Sequence, residues 1–184
     1  KVNLKKNCCE IIGHGLNKFS ENNNITLNAG NSGTLGRLIL GLLIHHKKKV
    51  RIIGDKSLSK RDFSRVILPL KKFGAKFKYK SNYKLPIEIK GTSNARPIIY
   101  HEKKGSAQCK SAVMLAALNT RGETIIKAKK SRDHTEILFK HLKIPIKLVK
   151  NKKFDLIKIK GQKKFSRLNY NIPSDISSSA FFIV

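Results

Sequence analysis

Two Arg-Asp pairs, Arg61-Asp62 and Arg132-Asp133, stand where helical patterns begin. A cation at such a place is opposed by the positive end of the helix dipole. Arginine offers a planar fork of donors that grips a phosphate or carboxylate in a fixed geometry. Its use at both places points to an anion bound nearby; simple pairing of each arginine with a neighbouring acid is the competing account. Three loop-to-helix junctions carry small polar residues: Asn28-Ala29-Gly30-Asn31-Ser32-Gly33-Thr34, Gly105-Ser106-Ala107-Gln108 and Ser174-Asp175-Ile176-Ser177-Ser178-Ser179. Such residues cap helices by accepting hydrogen bonds from the first free N–H groups. Where a glycine allows close approach, the same amides and the dipole also favour an anion. Capping and anion binding both remain open at each junction.

The elements that must position these groups alternate between helix and strand. Residues 34–44 have a broad apolar face and suit a helix, and residues 50–53 are a short β-branched run. Residues 64–73 place Val66, Ile67, Leu70 and Phe73 on one helical face, and Gly74 ends that helix. Residues 76–80 and 85–89 alternate as strands, closed by Gly91. The order then recurs: helix 107–118, strand 124–128, helix 134–143, strands 146–149 and 154–159. Laying residues 61–77 on 132–148 without a gap matches Val66 with Ile137, Phe73 with Ile144 and Phe77 with Leu148. The offset of about 71 residues exceeds solenoid periods, so each repeat is a whole supersecondary unit, spanning about 31–91 and 105–161. A third start is expected at Ser177-Ser178-Ser179-Ala180.

Composition narrows the class. At 184 residues and 40% apolar, the chain can bury a sizeable core. It opens on Lys1-Val2 without Met and stops in the apolar run Phe181-Phe182-Ile183-Val184, as expected of a piece of a longer protein. A signal peptide needs a basic start and an apolar stretch of roughly 7–15 residues, and none is seen. The run 38–44 is about a third of a membrane span. Cys8, Cys9 and Cys109 are odd in number and lack metal-ligand spacing. The net charge of +29 fits a polyanion partner, or lysines spread over solvated faces and swollen by AT-rich codons for Lys, Asn and Ile. In either case a positive field draws small anions.

The motifs, taken together, resemble those of the EPSP synthase family of enolpyruvyl transferases. The run Gly54-Asp55-Lys56-Ser57-Leu58-Ser59-Lys60-Arg61, with Arg65-Val66 and Pro69-Leu70 beyond it, is similar to the family's phosphoenolpyruvate-arginine segment. Asn31-Ser32-Gly33-Thr34 with Arg37 resembles its Asn-Ala-Gly-Thr loop. Ser106-Ala107-Gln108-Cys109-Lys110-Ser111-Ala112 and Ser131-Arg132-Asp133-His134-Thr135-Glu136 resemble segments of the class II enzymes, and Ser174-Asp175-Ile176-Ser177-Ser178 resembles the lead into their second domain.

The resemblance implies an α/β class fold, an inside-out prism of βαβαββ repeats, with residues 1–173 as most of the N-terminal domain and 174–184 as the hinge and start of the second. It implies addition of the 5-hydroxyl of shikimate 3-phosphate to C2 of phosphoenolpyruvate as C3 is protonated, then loss of phosphate, with no metal and no organic cofactor. Carried over by position, Gly33, Arg61 and Gln108 meet phosphoenolpyruvate, while Ser106, Ala107, Gln108 and Arg132, with Ser131 beside it, meet shikimate 3-phosphate. The partners implied are these small anions, with neither nucleic acid nor membrane, and the complete enzyme is expected to be a cytoplasmic monomer. Asp62 departs from the family's usual Pro and Ser174 from its usual Gly. The family's Lys-Ser-x-x-x-Arg is missing, and its catalytic Asp and Lys are expected outside this chain. The sister UDP-N-acetylglucosamine enolpyruvyltransferase carries its reactive cysteine in a loop of different pattern, and RNA 3′-phosphate cyclase motifs are not present. A basic nucleic-acid module would need exposed aromatics for stacking, whereas the Phe and Tyr here mostly fall in strands and helix cores.

Overall fold

A computed structural model describes residues 2–6, 8–13, 25–162 and 169–171. The third repeat start and the hinge segment 174–184 lie outside the described residues. β1 (Val2–Lys5) and β2 (Cys8–Ile11) form an antiparallel hairpin that no local pattern had signalled.

Two four-stranded sheets follow. β3 (Ile25–Asn28) leads through α1 (Gly33–Leu42) and a 3-10 turn, Leu43–His45, to β4 (Lys49–Ile53). The short α2 (Lys56–Ser59) and then α3 (Ser64–Lys72) precede β5 (Lys76–Lys80) and β6 (Lys84–Lys90). The second unit runs β7 (Ile99–Glu102), α4 (Ala107–Ala117), β8 (Glu123–Lys129), α5 (His134–His141), β9 (Ile146–Lys150) and β10 (Phe154–Lys160). The strand orders are β3-β4-β6-β5 and β7-β8-β10-β9, which is the same order taken twice. In each sheet the first pair is parallel and the others antiparallel. A parallel pair needs a crossover, and α1 and α4 supply it. Each unit therefore begins one strand earlier than the period of the sequence shows, at β3 and at β7.

Alternation sets which face of each sheet is buried. In β6, Leu85, Ile87 and Ile89 point inward; in β10, Asp155, Ile157 and Ile159 do so, with the same burial sequence along both strands. Lys127 and Lys129 of β8, like Lys76, Lys78 and Lys80 of β5, stand exposed, which puts much of the positive charge on outer faces. The large Phe63, Phe73 and Phe139 are buried with Leu40, Ile44, Ile67 and Leu70, away from any stacking surface. α4 is buried almost all round, and small residues let it approach α1 closely. A Cβ on Gly41 of α1 would run into the Ala112 carbonyl of α4.

The ungapped match of the two repeats needs correction. Phe77 pairs with Ile89 as Ile146 pairs with Ile159, so Phe77 answers to Ile146 and not to Leu148. The second residue past each helix has positive φ, Gly74 at 107° and Lys143 at 55°, which again moves the register by two. Val66 is 0% exposed whereas Ile137 is 56% exposed. One residue of the shift lies ahead of the helices, where Phe63 separates Asp62 from α3 while Asp133 directly precedes α5, and the other lies in the helices, nine residues in α3 against eight in α5. The two Arg-Asp pairs are thus similar in type but differ in place: Asp133 abuts α5, and Asp62 lies one residue further from α3.

Candidate anion site

The first turn of α1 is shaped by short-range bonds. Asn28 Oδ1 accepts the Gly30 N–H at 2.9 Å, Gly30 takes a φ of 54°, and Ser32 Oγ accepts the Leu35 N–H at 3.1 Å. Ser32 is therefore the helix cap that the sequence allowed. Gly33 has room above it for charge: a Cβ there would lie 2.8 Å from Arg37 Nη1 and 3.1 Å from Arg61 Nη1. Two guanidinium groups converge over this glycine.

Arg37 is held from several sides. Its Nη1 donates to Gln108 Oε1 at 3.0 Å and to the Gly33 carbonyl at 3.3 Å, and its Nη2 donates to the Asp62 carbonyl at 3.3 Å. The guanidinium also sits 5.0 Å from the centre of the Phe63 ring. Gln108 Nε2 donates to Thr34 Oγ1 at 2.7 Å, which ties the start of α4 to the start of α1. Burial pushes Arg37 below its ordinary pKa, with Arg61 and Arg65 adding to the fall against an upward pull from Cys109.

Arg61 follows Lys60, the C-cap of α2. Asp55 caps that helix by accepting the Leu58 N–H at 2.7 Å, Asn31 Nδ2 donates to Asp55 Oδ2, and the Arg61 N–H closes on the Leu58 carbonyl at 3.0 Å. The Arg61 side chain is exposed, and no carboxylate among the described residues lies within ion-pair distance of it. Asp62 is engaged elsewhere: its two oxygens accept the Ser64 N–H at 2.7 Å and the Ser64 hydroxyl at 2.6 Å. Burial raises the Asp62 pKa, yet the Ser64 bonds, then Arg37 and Arg65, hold it below the usual carboxylate range. Pairing with a neighbouring acid therefore does not account for Arg61.

The start of α4 is built around Glu102. That buried carboxylate accepts the Ser106 N–H at 2.9 Å, the Lys104 N–H at 3.3 Å and Arg65 Nη2 at 2.8 Å. Gly105 makes the turn at a φ of 71°, and Ser106 Oγ caps the helix by accepting the Cys109 N–H at 3.3 Å. The amides of Ala107 and Gln108 belong to the first turn, which has no intrahelical acceptor.

Arg132 lies in the loop before α5 with its side chain exposed. Its carbonyl accepts Lys110 Nζ at 2.9 Å. Lys110 and Glu136 form an ion pair with side chains 1% and 2% exposed, and Ser111 Oγ lies 2.7 Å from Thr135 Oγ1. Asp133 pairs with Lys150 at 3.3 Å, and Lys150 holds it below the usual range, so Arg132 too stands without a carboxylate in ion-pair distance among the described residues.

Gly33, Arg61 and Gln108 are thus brought together around Arg37, and Ser106 and Ala107 share the turn of Gln108. Arg132 is tied to the next turn of α4 through Lys110. Arg37 had no assigned role from sequence, although it stands four residues after Gly33 on the same helix face. Glu102 gave no local signal, because Arg65 is remote in the chain. Lys110, a lysine within an Ala-rich helix, was the visible sign of a buried pair.

The profile described as EPSP synthase (3-phosphoshikimate 1-carboxyvinyltransferase) matches residues 1–184. A 3-phosphoshikimate 1-carboxyvinyltransferase of Streptococcus agalactiae serotype Ia is 41% identical over 180 residues, covering 95% of this chain and 40% of that protein. One from Vesicomyosocius okutanii is 42% identical over 186 residues, covering 100% of this chain and 41% of that protein. A solved EPSP synthase of Acinetobacter baumannii aligns with a TM-score of 0.76 at 36% identity, covering 86% of this chain and 35% of that one. The chain spans about two-fifths of the length of the curated relatives it matches.

Proposed function

The chain belongs to the EPSP synthase family, and from that premise we propose that it supplies the anion sites of a 3-phosphoshikimate 1-carboxyvinyltransferase. In this reading residues 1–173 are most of an N-terminal domain and residues 174–184 lead into a second. The 5-hydroxyl of shikimate 3-phosphate adds to C2 of phosphoenolpyruvate while C3 takes up a proton. Inorganic phosphate and a C3 proton then leave the tetrahedral intermediate, which restores the double bond in the enolpyruvyl ether. Arg61 grips the anionic groups of phosphoenolpyruvate, Gly33 leaves them room, and Gln108 contacts both substrates. Ser106, Ala107 and Arg132 take the shikimate phosphate. This part of the protein acts by positioning and by placing fixed positive charge where negative charge is handled.

One observation carries the reading. Arg37 and Arg61 both reach the space over Gly33, and no carboxylate among the described residues is in ion-pair distance of Arg61. Adjacent like charges repel, and a bound phosphate or carboxylate relieves that repulsion. A cytoplasmic setting belongs to the same proposal: no helix among the described residues is long and apolar enough to cross a membrane, and Cys8 and Cys9 are exposed free thiols, which suit a reducing compartment. The test is phosphate release from phosphoenolpyruvate by the full-length protein carrying this segment. Release that depends on shikimate 3-phosphate is expected. Release that depends instead on UDP-N-acetylglucosamine, or none with either acceptor, contradicts the proposal.

A further inference from the structure

We propose that Lys110 and Glu136 are a positioning pair for Arg132, fixing the guanidinium that receives the phosphate monoester of shikimate 3-phosphate. This rests on the substrate assignment above and extends it to two residues that touch no substrate. The pair lies in the interior, Lys110 on α4 beside buried Cys109, Ser111, Ala112, Val113 and Met114, and Glu136 on α5. Burying an ammonium and a carboxylate is costly even when they are paired, and apolar side chains of similar volume would hold the helices together as well or better. Stability alone therefore gives little reason for the pair. Its geometry gives another, because the Lys110 ammonium has donors to spare and one of them meets the Arg132 carbonyl at 2.9 Å.

Glu136, in the first turns of α5, fixes Lys110 from one side, and the Arg132 carbonyl receives it on the other. Ser111 and Thr135 make a second tie between the same two helices, at 2.7 Å. The short loop before α5 is thereby fastened to α4, the helix whose first turn carries Ser106, Ala107 and Gln108. The spacing between Arg132 and that turn is set by a buried side chain and not by the loop alone. Asp133 cannot serve as the guide, since it is engaged by Lys150.

The experiment replaces the pair as a unit, Lys110→Met with Glu136→Leu, in the full-length protein, alongside Arg132→Ala and all three changes together. The paired swap should leave the melting temperature close to wild type and raise KM for shikimate 3-phosphate about tenfold, within the hundredfold that a misplacement of about 1 Å can cost. KM for phosphoenolpyruvate should stay within about twofold. Added to Arg132→Ala, the swap should have little further effect, because coupled residues are not additive. A swap that leaves KM for shikimate 3-phosphate unchanged, where Arg132→Ala raises it, overturns this inference and leaves the substrate assignment standing. An Arg132→Ala protein with unchanged KM overturns the assignment itself. Should the swap fail to fold, Lys110→Arg keeps a cation beside Glu136 while altering the donor to Arg132, and the same rise in KM is expected; an unchanged KM there counts against the pair.

Discussion

The first repeat holds its arginine by the backbone, and the second holds its arginine from beneath. Ahead of α3, Asp55 caps α2, the Arg61 N–H closes on Leu58, and the Asp62 carboxylate turns to Ser64, which leaves the Arg61 guanidinium exposed beside Arg37. Ahead of α5 no extra helix intervenes, and a lysine buried in α4 reaches up to the Arg132 carbonyl. The sheets below are the same in strand order, and α1 and α4 both open on a serine cap. Alternating apolar residues are enough to specify a shared sheet order. Loop length and a few buried polar residues decide how charge is presented at its edge, and these differ between the halves.

That contrast can be broken by removing in turn the buried pair of the second half and the pair that joins Arg65 of the first half to Glu102 of the second. Lys110→Ala strands Glu136 in the interior and should cost about 3–5 kcal/mol of stability by denaturant or thermal melting. A loss below about 1 kcal/mol would mean that the second repeat does not depend on its buried pair. Arg65→Ala should cost less, about 1 kcal/mol, because the Arg65 side chain is 41% exposed and screened by water, while Glu102 keeps the amides of Ser106 and Lys104. Equal losses in the two variants would erase the distinction drawn above.

The smallest effect concerns the seam between the halves. His45, after α1, places Nε2 3.1 Å from Thr120 Oγ1, after α4. Burial pushes the His45 pKa below its ordinary value, against an upward pull from the Ala116 carbonyl. The folded form therefore resists a proton that the unfolded chain accepts near pH 6.5. This contribution to stability is complete above about pH 6.5 and shrinks as pH falls below it toward the lowered folded value. His45→Gln should flatten that part of the stability profile between about pH 7.5 and 5.5. An unchanged slope would show that His45 does not titrate with folding.

Much of the fold was legible because its longer elements are periodic. Helices 33–42 and 64–72 and strands 76–80, 84–90, 123–129 and 154–160 carry the 3.6- or 2-residue pattern, and helix 107–117, buried almost all round, showed in its Ala and Leu content. β3 and β7 were not legible: each has four residues and is defined by pairing with a strand beyond a helix, a contact with no local trace. α2 is also four residues and is held by Asp55, a cap that reads equally well as a turn. The ungapped repeat alignment failed because similar side-chain character does not fix register once one repeat gains a residue before its helix and another within it. At the site, Gly33, Arg61, Gln108, Ser106 and Arg132 stood out by residue type and motif. Glu102 and Glu136 did not, since a buried carboxylate is explained by its partner, and those partners, Arg65 and Lys110, come from other elements. Asp62 gives both oxygens to Ser64, and no carboxylate among the described residues lies within ion-pair distance of Arg61.

Arg61 bears the central claim, and steady-state kinetics of the full-length protein tests it most directly. A guanidinium can make two parallel charge-assisted bonds to phosphate or carboxylate, whereas an ammonium acts as a point charge. Arg61→Ala should lower kcat/KM for phosphoenolpyruvate by about a hundredfold to a few thousandfold, roughly 3–5 kcal/mol of transition-state binding, and Arg61→Lys should recover part of it. Melting temperatures of both should stay near wild type, since a solvent-exposed arginine contributes little to folding. An Arg61→Ala protein with near-wild-type kcat/KM for phosphoenolpyruvate would contradict the account.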